Sequence, residues 1–496
     1  MRTAFVDHLE IFLKKQGLID IWRKKNPGMK KFTFRQNNPL VQSRLDYWFI
    51  SNGLETRVNN CDIITSITPD HSSILFELKL TRSYERYGKS YWKFNNSLCS
   101  DRDFVQGMVE EIQMIERKWL GEFESKSSFW DFLKMKMRSF AMKFSRKKSK
   151  EKRTCIKQLE NEINALEKDL GTSAENSTII KDIENKKSQL KKLYHNRVEG
   201  LKVRSRAAWY EEGEQNKEYF EQLLQWNKKK TIIRELCNEN TEVVKEKNVI
   251  MQMIRSFYEN LYSEKTSIGN VFIDNMCKDI PKLDDENRIS CEGKVTIDEC
   301  FNTLKNMKTN KSPGNDGFTV EFYLTFWPHI GKVLVEVFNE AVDMGVLSTS
   351  QKQGVITLIE KENKNPLYIK NYRPITLLNV DYKILAKVMA TRIKDVLNKI
   401  IHLDQVGYMK NRYIGEAIRL IDDMIFHSIN DCDQDIFLIA VDFEKAFDSV
   451  SHSFLFKVLE LFGFGPSFCS WVKTMYNGIS SCVMNGGFST GYFDIK

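Results

Sequence analysis

Ala440-Val441-Asp442-Phe443-Glu444-Lys445-Ala446-Phe447-Asp448 sets a carboxylate directly behind an unbroken apolar run, residues 436–441. That run predicts a buried strand with Asp442 at its C-terminal lip. A turn carrying Phe447 and Asp448 follows, then a helix over 453–462 closed by Gly463. A carboxylate at such a lip is a place to hold a hard divalent cation, because Mg²⁺ takes one or two carboxylates together with substrate phosphates. The plainer alternative is an edge strand running into a solvated turn.

A second chemical feature is charge. The chain carries a net +9, and residues 134–157 alone hold eleven Lys or Arg against one acid, Glu151. Arg146, Lys147, Lys148, Lys150, Lys152 and Arg153 lie at its centre, and Phe129, Trp130, Phe132, Phe140 and Phe144 interleave its start. Such a stripe neutralises phosphates and releases counterions, which makes it a candidate nucleic-acid contact. A solvated helix face or an import patch would have the same composition.

The string around Asp442 resembles the first catalytic motif of reverse transcriptases of LINE-type (non-LTR) retrotransposons. Lys311-Ser312-Pro313-Gly314-Asn315-Asp316-Gly317 resembles that family's entry loop into the fingers. Thr357-Leu358-Ile359-Glu360-Lys361 and Asn371-Tyr372-Arg373-Pro374-Ile375-Thr376-Leu377-Leu378-Asn379 resemble its fingers strands, and Asp404-Gln405-Val406-Gly407-Tyr408 the segment before the palm. The resemblance implies metal-assisted nucleotidyl transfer, in which two Mg²⁺ ions stabilise the attacking and leaving oxygens. Asp442 would be a catalytic metal ligand, aided by the Phe443 carbonyl. Phe447 would stand under the sugar and exclude a 2′-hydroxyl, or serve simply as a core aromatic. Arg373 and Lys361 would grip the triphosphate or template, a guanidinium being suited to bidentate phosphate contact. Asp448 reads as a turn or helix-start residue. The family's paired Asp would come after the hairpin formed by 481–484, the turn Asn485-Gly486-Gly487 and 492–495, so this chain alone is expected to be inactive.

Near the N-terminus, Ser43-Arg44-Leu45-Asp46-Tyr47-Trp48-Phe49-Ile50-Ser51 and Pro69-Asp70-His71-Ser72-Ser73-Ile74 resemble the last two motifs of the apurinic-endonuclease-like fold. The resemblance implies that His71 contacts the scissile phosphate, Asp46 orients its ring, and Asp70 stands beside them. Pro69 departs from the family's usual Ser. The metal-binding motifs of that fold would precede Met1, so the segment reads as a remnant.

These residues need elements to hold them. Residues 1–80 alternate strands and loops, clearest at 32–34, 45–50 and 74–80; residues 100–150 are helical. Apolar positions Ile156, Leu159, Ile163, Leu166 and Leu170, then Ile179, Ile183, Leu190 and Leu193 beyond a polar turn at 171–178, predict a coiled-coil-like helical hairpin over about 154–198. One arm of a dimer would show the same seam. Residues 205–264 continue helical, with Trp209, Tyr210, Tyr219, Phe220, Phe257, Tyr258 and Tyr262 read as packing. Within this region 206–214 resembles the linker upstream of such polymerases.

The expected architecture is α+β and multidomain. It comprises an endonuclease α/β-sandwich remnant (1–80), a helical basic linker (81–299), and an incomplete right-hand polymerase of fingers and partial palm (300–496). Expected partners are RNA template, DNA target or primer, and deoxynucleotides, with Mg²⁺ as cofactor. The rival readings are a non-catalytic RNA- or DNA-binding remnant and a group-II-intron-type maturase; the endonuclease-like start speaks against the latter. Ten scattered cysteines without a Cys-x-x-Cys pair argue for a reducing compartment. No apolar stretch approaches a membrane span, and the start is amphipathic rather than a signal peptide, so an intracellular protein of cytoplasm and nucleus is expected.

Overall fold

The computed structural model describes residues 4–37, 40–64, 71–79, 91–169, 176–205, 232–263, 273–275, 278, 280–431 and 437–496. The chain divides into two compact units, Met1–Arg86 with Ser145–Lys230 and Tyr87–Phe144 with Thr231–Lys496. That division runs through the segment read from sequence as linker. The reason is an apolar stripe. Phe129, Trp130, Leu133, Met137 and Ala141 recur every three or four residues along the helix Lys126–Asp169 and are fully buried. They share one core with Phe104 and Met108 of the helix Arg102–Trp119 and with Phe322 and Phe326 of the helix Val320–Met344. Phe94 meets Phe322 edge-on at 5.0 Å, and Phe104 meets Phe326 at 6.2 Å.

In this second unit Thr319 caps the helix Val320–Met344 through its side chain, and Gly345, at φ 72°, ends it. A mixed sheet runs in the order Tyr372–Leu377, Gln353–Glu360, Ser480–Asn485, Phe488–Ser489. The first pair is antiparallel, whereas Gln353–Glu360 and Ser480–Asn485 are parallel. Pro374 is accommodated because Tyr372–Leu377 is an edge strand. Gly486 and Gly487 have φ of 58° and 82°, the paired positive values that a tight primed hairpin turn needs. The helix Lys247–Leu261 covers the sheet, burying Ile250, Ile254 and Tyr258 with Ile356, Val483 and Phe493. Packing, as read from sequence, accounts for Tyr258; residues 206–231 lie outside the described residues.

Among its described residues the first unit contains three antiparallel strand pairs: Leu18–Asp20 with Phe49–Ser51, Phe34–Asn37 with Leu40–Ser43, and Val58–Ile64 with Ser73–Leu78. The expected strand over 45–50 is shortened to Phe49–Ser51. Its first residues turn aside because the buried Thr33 hydroxyl accepts from Leu45 N (2.9 Å) and Asp46 N (3.1 Å), replacing strand pairing. The second part of the helix Lys126–Asp169 and the helix Asn176–Ser205 form the hairpin. Leu159, Ile163, Ile183 and Leu190 are buried between them, and Lys186 pairs with Glu162 at 2.6 Å while Tyr194 reaches Glu160 at 2.6 Å. Those falling and rising numbers make the pairing antiparallel. Residues 170–175 of the expected turn lie outside the described residues.

Candidate nucleotide and nucleic-acid sites

The expected buried strand before Asp442 is not formed. Residues 437–443 form no strand among the described residues, with Val441 71% and Phe437 86% exposed. A strand exists only where neighbours take its backbone groups and cover its faces. The parallel place beside Gln353–Glu360 is taken by Ser480–Asn485, and no described strand pairs with 437–443. Asp442 and Phe443 are exposed accordingly. Phe447 is 81% exposed and meets Tyr408 edge-on at 5.9 Å. Asp448 lies in the turn, as read from sequence, and accepts from the Tyr262 hydroxyl at 3.0 Å. The following helix is His452–Leu461, with Gly463 at φ 85° just beyond it.

Arg373 and Lys361 are brought together by sheet register. Arg373 stands opposite Ile359, and Lys361 follows the same strand two residues later. Arg373 is exposed, while Lys361 Nζ donates to the Lys370 carbonyl at 3.1 Å.

The loop Lys311-Ser312-Pro313-Gly314-Asn315-Asp316-Gly317 is tightly packed, and its glycines explain why. A Cβ on Gly314 would lie 2.1 Å from Asn379 Oδ1 and 2.5 Å from the Asn379 backbone nitrogen. Gly317, at φ 83°, lies against Trp92, and its carbonyl accepts from Phe94 N at 2.9 Å. Asn379 Nδ2 donates to Asn315 Oδ1 (2.9 Å) and the Ser350 carbonyl (2.7 Å), and Asn379 Oδ1 accepts from Asp316 N. Beneath the loop, Lys134 Nζ bonds Asp381 at 2.7 Å and Asp316 at 3.3 Å, with Trp130 Nε1 also donating to Asp381 at 2.8 Å. All four side chains are buried. Burial lifts the Asp316 carboxyl to about 6, with nearby Asp381 adding to the lift and Lys134 opposing it. Burial lowers the pKa of the Lys134 ammonium, yet the aspartates outweigh it and hold Lys134 above the ordinary lysine range.

Lys134 thus opens the basic window but belongs to the core. Sequence reasoning missed this, although a lone cation four residues after Trp130 on an otherwise apolar stripe is a legible sign. Phe129 and Trp130, read as possible interleaving aromatics, are core residues too. Further along the helix, Arg146, Lys147, Lys150, Lys152 and Arg153 are exposed and Lys148 is half-buried.

In the first unit His71 and Asp46 meet: Nδ1 lies 3.0 Å from Asp46 Oδ2. Phe34 packs on the imidazole at 5.1 Å, and strand Phe34–Asn37 makes a single bridge to His71. Thr33 holds both sides, its hydroxyl taking the Asp46 amide and its carbonyl the Ser72 amide. The pair opens into a groove of about 610 Å³ bordered by Leu45, Tyr47, Phe49 and Ile74. Asp70 lies outside the described residues. Among the described residues no group of three or more His, Cys, Asp or Glu is placed to hold a metal ion, and no helix is long and apolar enough to cross a membrane.

Residues 359–494 match the family model described as reverse transcriptase (RNA-dependent DNA polymerase). The chain is 31% identical over 462 residues to a Xenopus laevis protein, the transposon TX1 uncharacterized 149 kDa protein, covering 93% of this chain and 35% of that one. It is 26% identical over 172 residues to the RNA-directed DNA polymerase from mobile element jockey of Drosophila melanogaster, covering 34% of this chain and 19% of that one. The retrovirus-related Pol polyprotein from the Drosophila melanogaster type-2 retrotransposable element R2DM is 26% identical over 188 residues, 37% of this chain and 17% of that protein. The chain therefore spans about a third or less of the length of these curated relatives.

Proposed function

Because the chain carries a reverse transcriptase segment of retrotransposon type, we propose that it contributes the fingers and part of the palm of an RNA-directed DNA polymerase, preceded in sequence by the closing segment of a nicking-endonuclease-like domain. The observation that carries this reading is the matched stretch 359–494, which contains Arg373, Asp442 and Phe447 in one compact unit. In this reading Arg373 and Lys361 meet triphosphate or template, and Phe447 bars a 2′-hydroxyl by its bulk. Asp442 is one oxygen ligand for Mg²⁺, with the Phe443 carbonyl beside it. When bound, the ion neutralises charge on the attacking and leaving oxygens. One carboxylate and one carbonyl are fewer donors than a two-metal site takes, so the described residues do not complete it and no step is assigned through the ion.

His71, oriented by Asp46, would touch a phosphate of the DNA target, and the exposed basic helix around Arg146–Arg153 would hold RNA or DNA. The expected setting is the cytoplasm and nucleus. A second reading, nucleic-acid binding without chemistry, is favoured by the unpaired, exposed stretch 437–443.

Two assays test the proposal. The 496-residue chain, given RNA template, primer, deoxynucleotides and Mg²⁺, should extend no more than its Asp442→Asn control. In a longer form that does extend primers, Phe447→Ala should admit ribonucleotides while Asp442→Asn abolishes all extension. Loss of all extension in Phe447→Ala, with no gain of ribonucleotides, would mean that Phe447, 81% exposed, is not the wall against the sugar.

A further inference from the structure

The turn that carries Phe447 is held from outside the matched polymerase stretch. Tyr262, just past the helix Lys247–Leu261, donates its hydroxyl to Asp448 Oδ1 at 3.0 Å. Lys445 Nζ lies 5.0 Å over the Phe257 ring of the same helix. The helix is itself fixed, since Ile254 and Tyr258 are buried against Ile356 and Val483 of the sheet. The Tyr262 carbonyl accepts from Lys496 N at 2.9 Å. Burial, reinforced by Asp448, pushes the Tyr262 phenol far above its ordinary range, so it remains a donor at any working pH.

The turn needs such support. On its N-terminal side residues 437–443 have no strand partner among the described residues. Its own closure rests on Asp448 N and Ser449 N, which both donate to the Lys445 carbonyl at 2.9 and 3.1 Å. Lys445 holds φ 54°, a left-handed conformation that a side-chain-bearing residue keeps only when its surroundings enforce it.

We propose that Tyr262 is a positioning residue of the nucleotide pocket. Its phenol–carboxylate bond to Asp448 fixes the turn from which Phe447 projects, so the helix Lys247–Leu261 is a working part of the polymerase rather than a spacer. The role assigned to the pocket rests on the reading of Phe447 as the wall against the sugar; the brace itself rests on geometry.

The test is amide hydrogen exchange on the full chain. Tyr262→Phe, which removes only the hydroxyl, and Asp448→Ala should each speed exchange at Asp448 and Ser449 by about tenfold, the scale of one charge-assisted hydrogen bond. Asp448→Asn keeps an acceptor and should change it by less than about threefold. Protection along the helix Lys247–Leu261 should stay as it is. Unchanged exchange at the turn in Tyr262→Phe overturns the brace, and so does a rise spread evenly over helix and turn, which would be general loosening. Expected exchange combined with a failure of Phe447→Ala to alter sugar choice overturns the pocket reading and leaves the brace standing.

Discussion

The loop Lys311–Gly317 and the stretch 437–442 carry equally legible sequence, yet they end in opposite states. The loop's partners are all supplied within its unit. Asn379 bonds its backbone and Asn315, Trp92 and Phe94 close over Gly317, and Lys134 lies beneath Asp316. Residues 437–442 have apolar side chains ending on an acid, but among the described residues no strand pairs with them and they stand exposed. Residue types therefore announce a motif, whereas its geometry waits on partners that sit elsewhere in the chain.

The contrast breaks most easily at Lys134. Lys134→Met leaves Asp381 and Asp316 buried without their cation, and urea unfolding should record a loss of about 3–5 kcal/mol. A loss below about 1 kcal/mol would mean that water or another group already serves the two carboxylates. Next comes Gly314→Ala. Its new methyl would meet the Asn379 backbone nitrogen at 2.5 Å, so overpacking should cost about 1–3 kcal/mol in the same experiment.

A pH titration sharpens the picture of the loop. Burial pushes the Asp316 carboxyl up to about 6 in the folded chain, against 3.8 ordinarily. Between those values the folded state keeps a proton that the unfolded state has released. The group's contribution is therefore whole below the lower value and is lost as pH rises through the upper one. Asp316→Asn has no such step, so its urea midpoint should gain on the wild type as pH rises through this window. A constant difference across the window would place the Asp316 carboxyl at its ordinary value. The smallest effect belongs to the other region: Ile439→Lys, at a residue 80% exposed, should shift stability by no more than about 0.5 kcal/mol.

Much of this was readable in advance where the signal is local. The spacing of Ile163, Ile183 and Leu190 fits the helical hairpin as it would fit one arm of a dimer, the Asn485-Gly486-Gly487 turn follows from its glycines, and the resemblance of two short strings implies the His71–Asp46 approach. What escaped was non-local. Nothing around Lys134 names Asp381, which lies far along the chain, and nothing around Tyr262 names Asp448. The strand expected before Asp442 failed for the same reason, since hydrophobic pattern selects a conformation only when another strand is there to pair.

The central claim, that this chain handles nucleic acid through its exposed basic helix, is tested most directly by RNA binding across a salt series. Several phosphate contacts predict a log–log slope of roughly −0.7 per contact for single strands. Replacing the exposed Arg146, Lys147, Lys150 and Arg153 together by Gln should flatten that slope by up to about three units. An unchanged slope would contradict the account and make the stripe a solvated helix face.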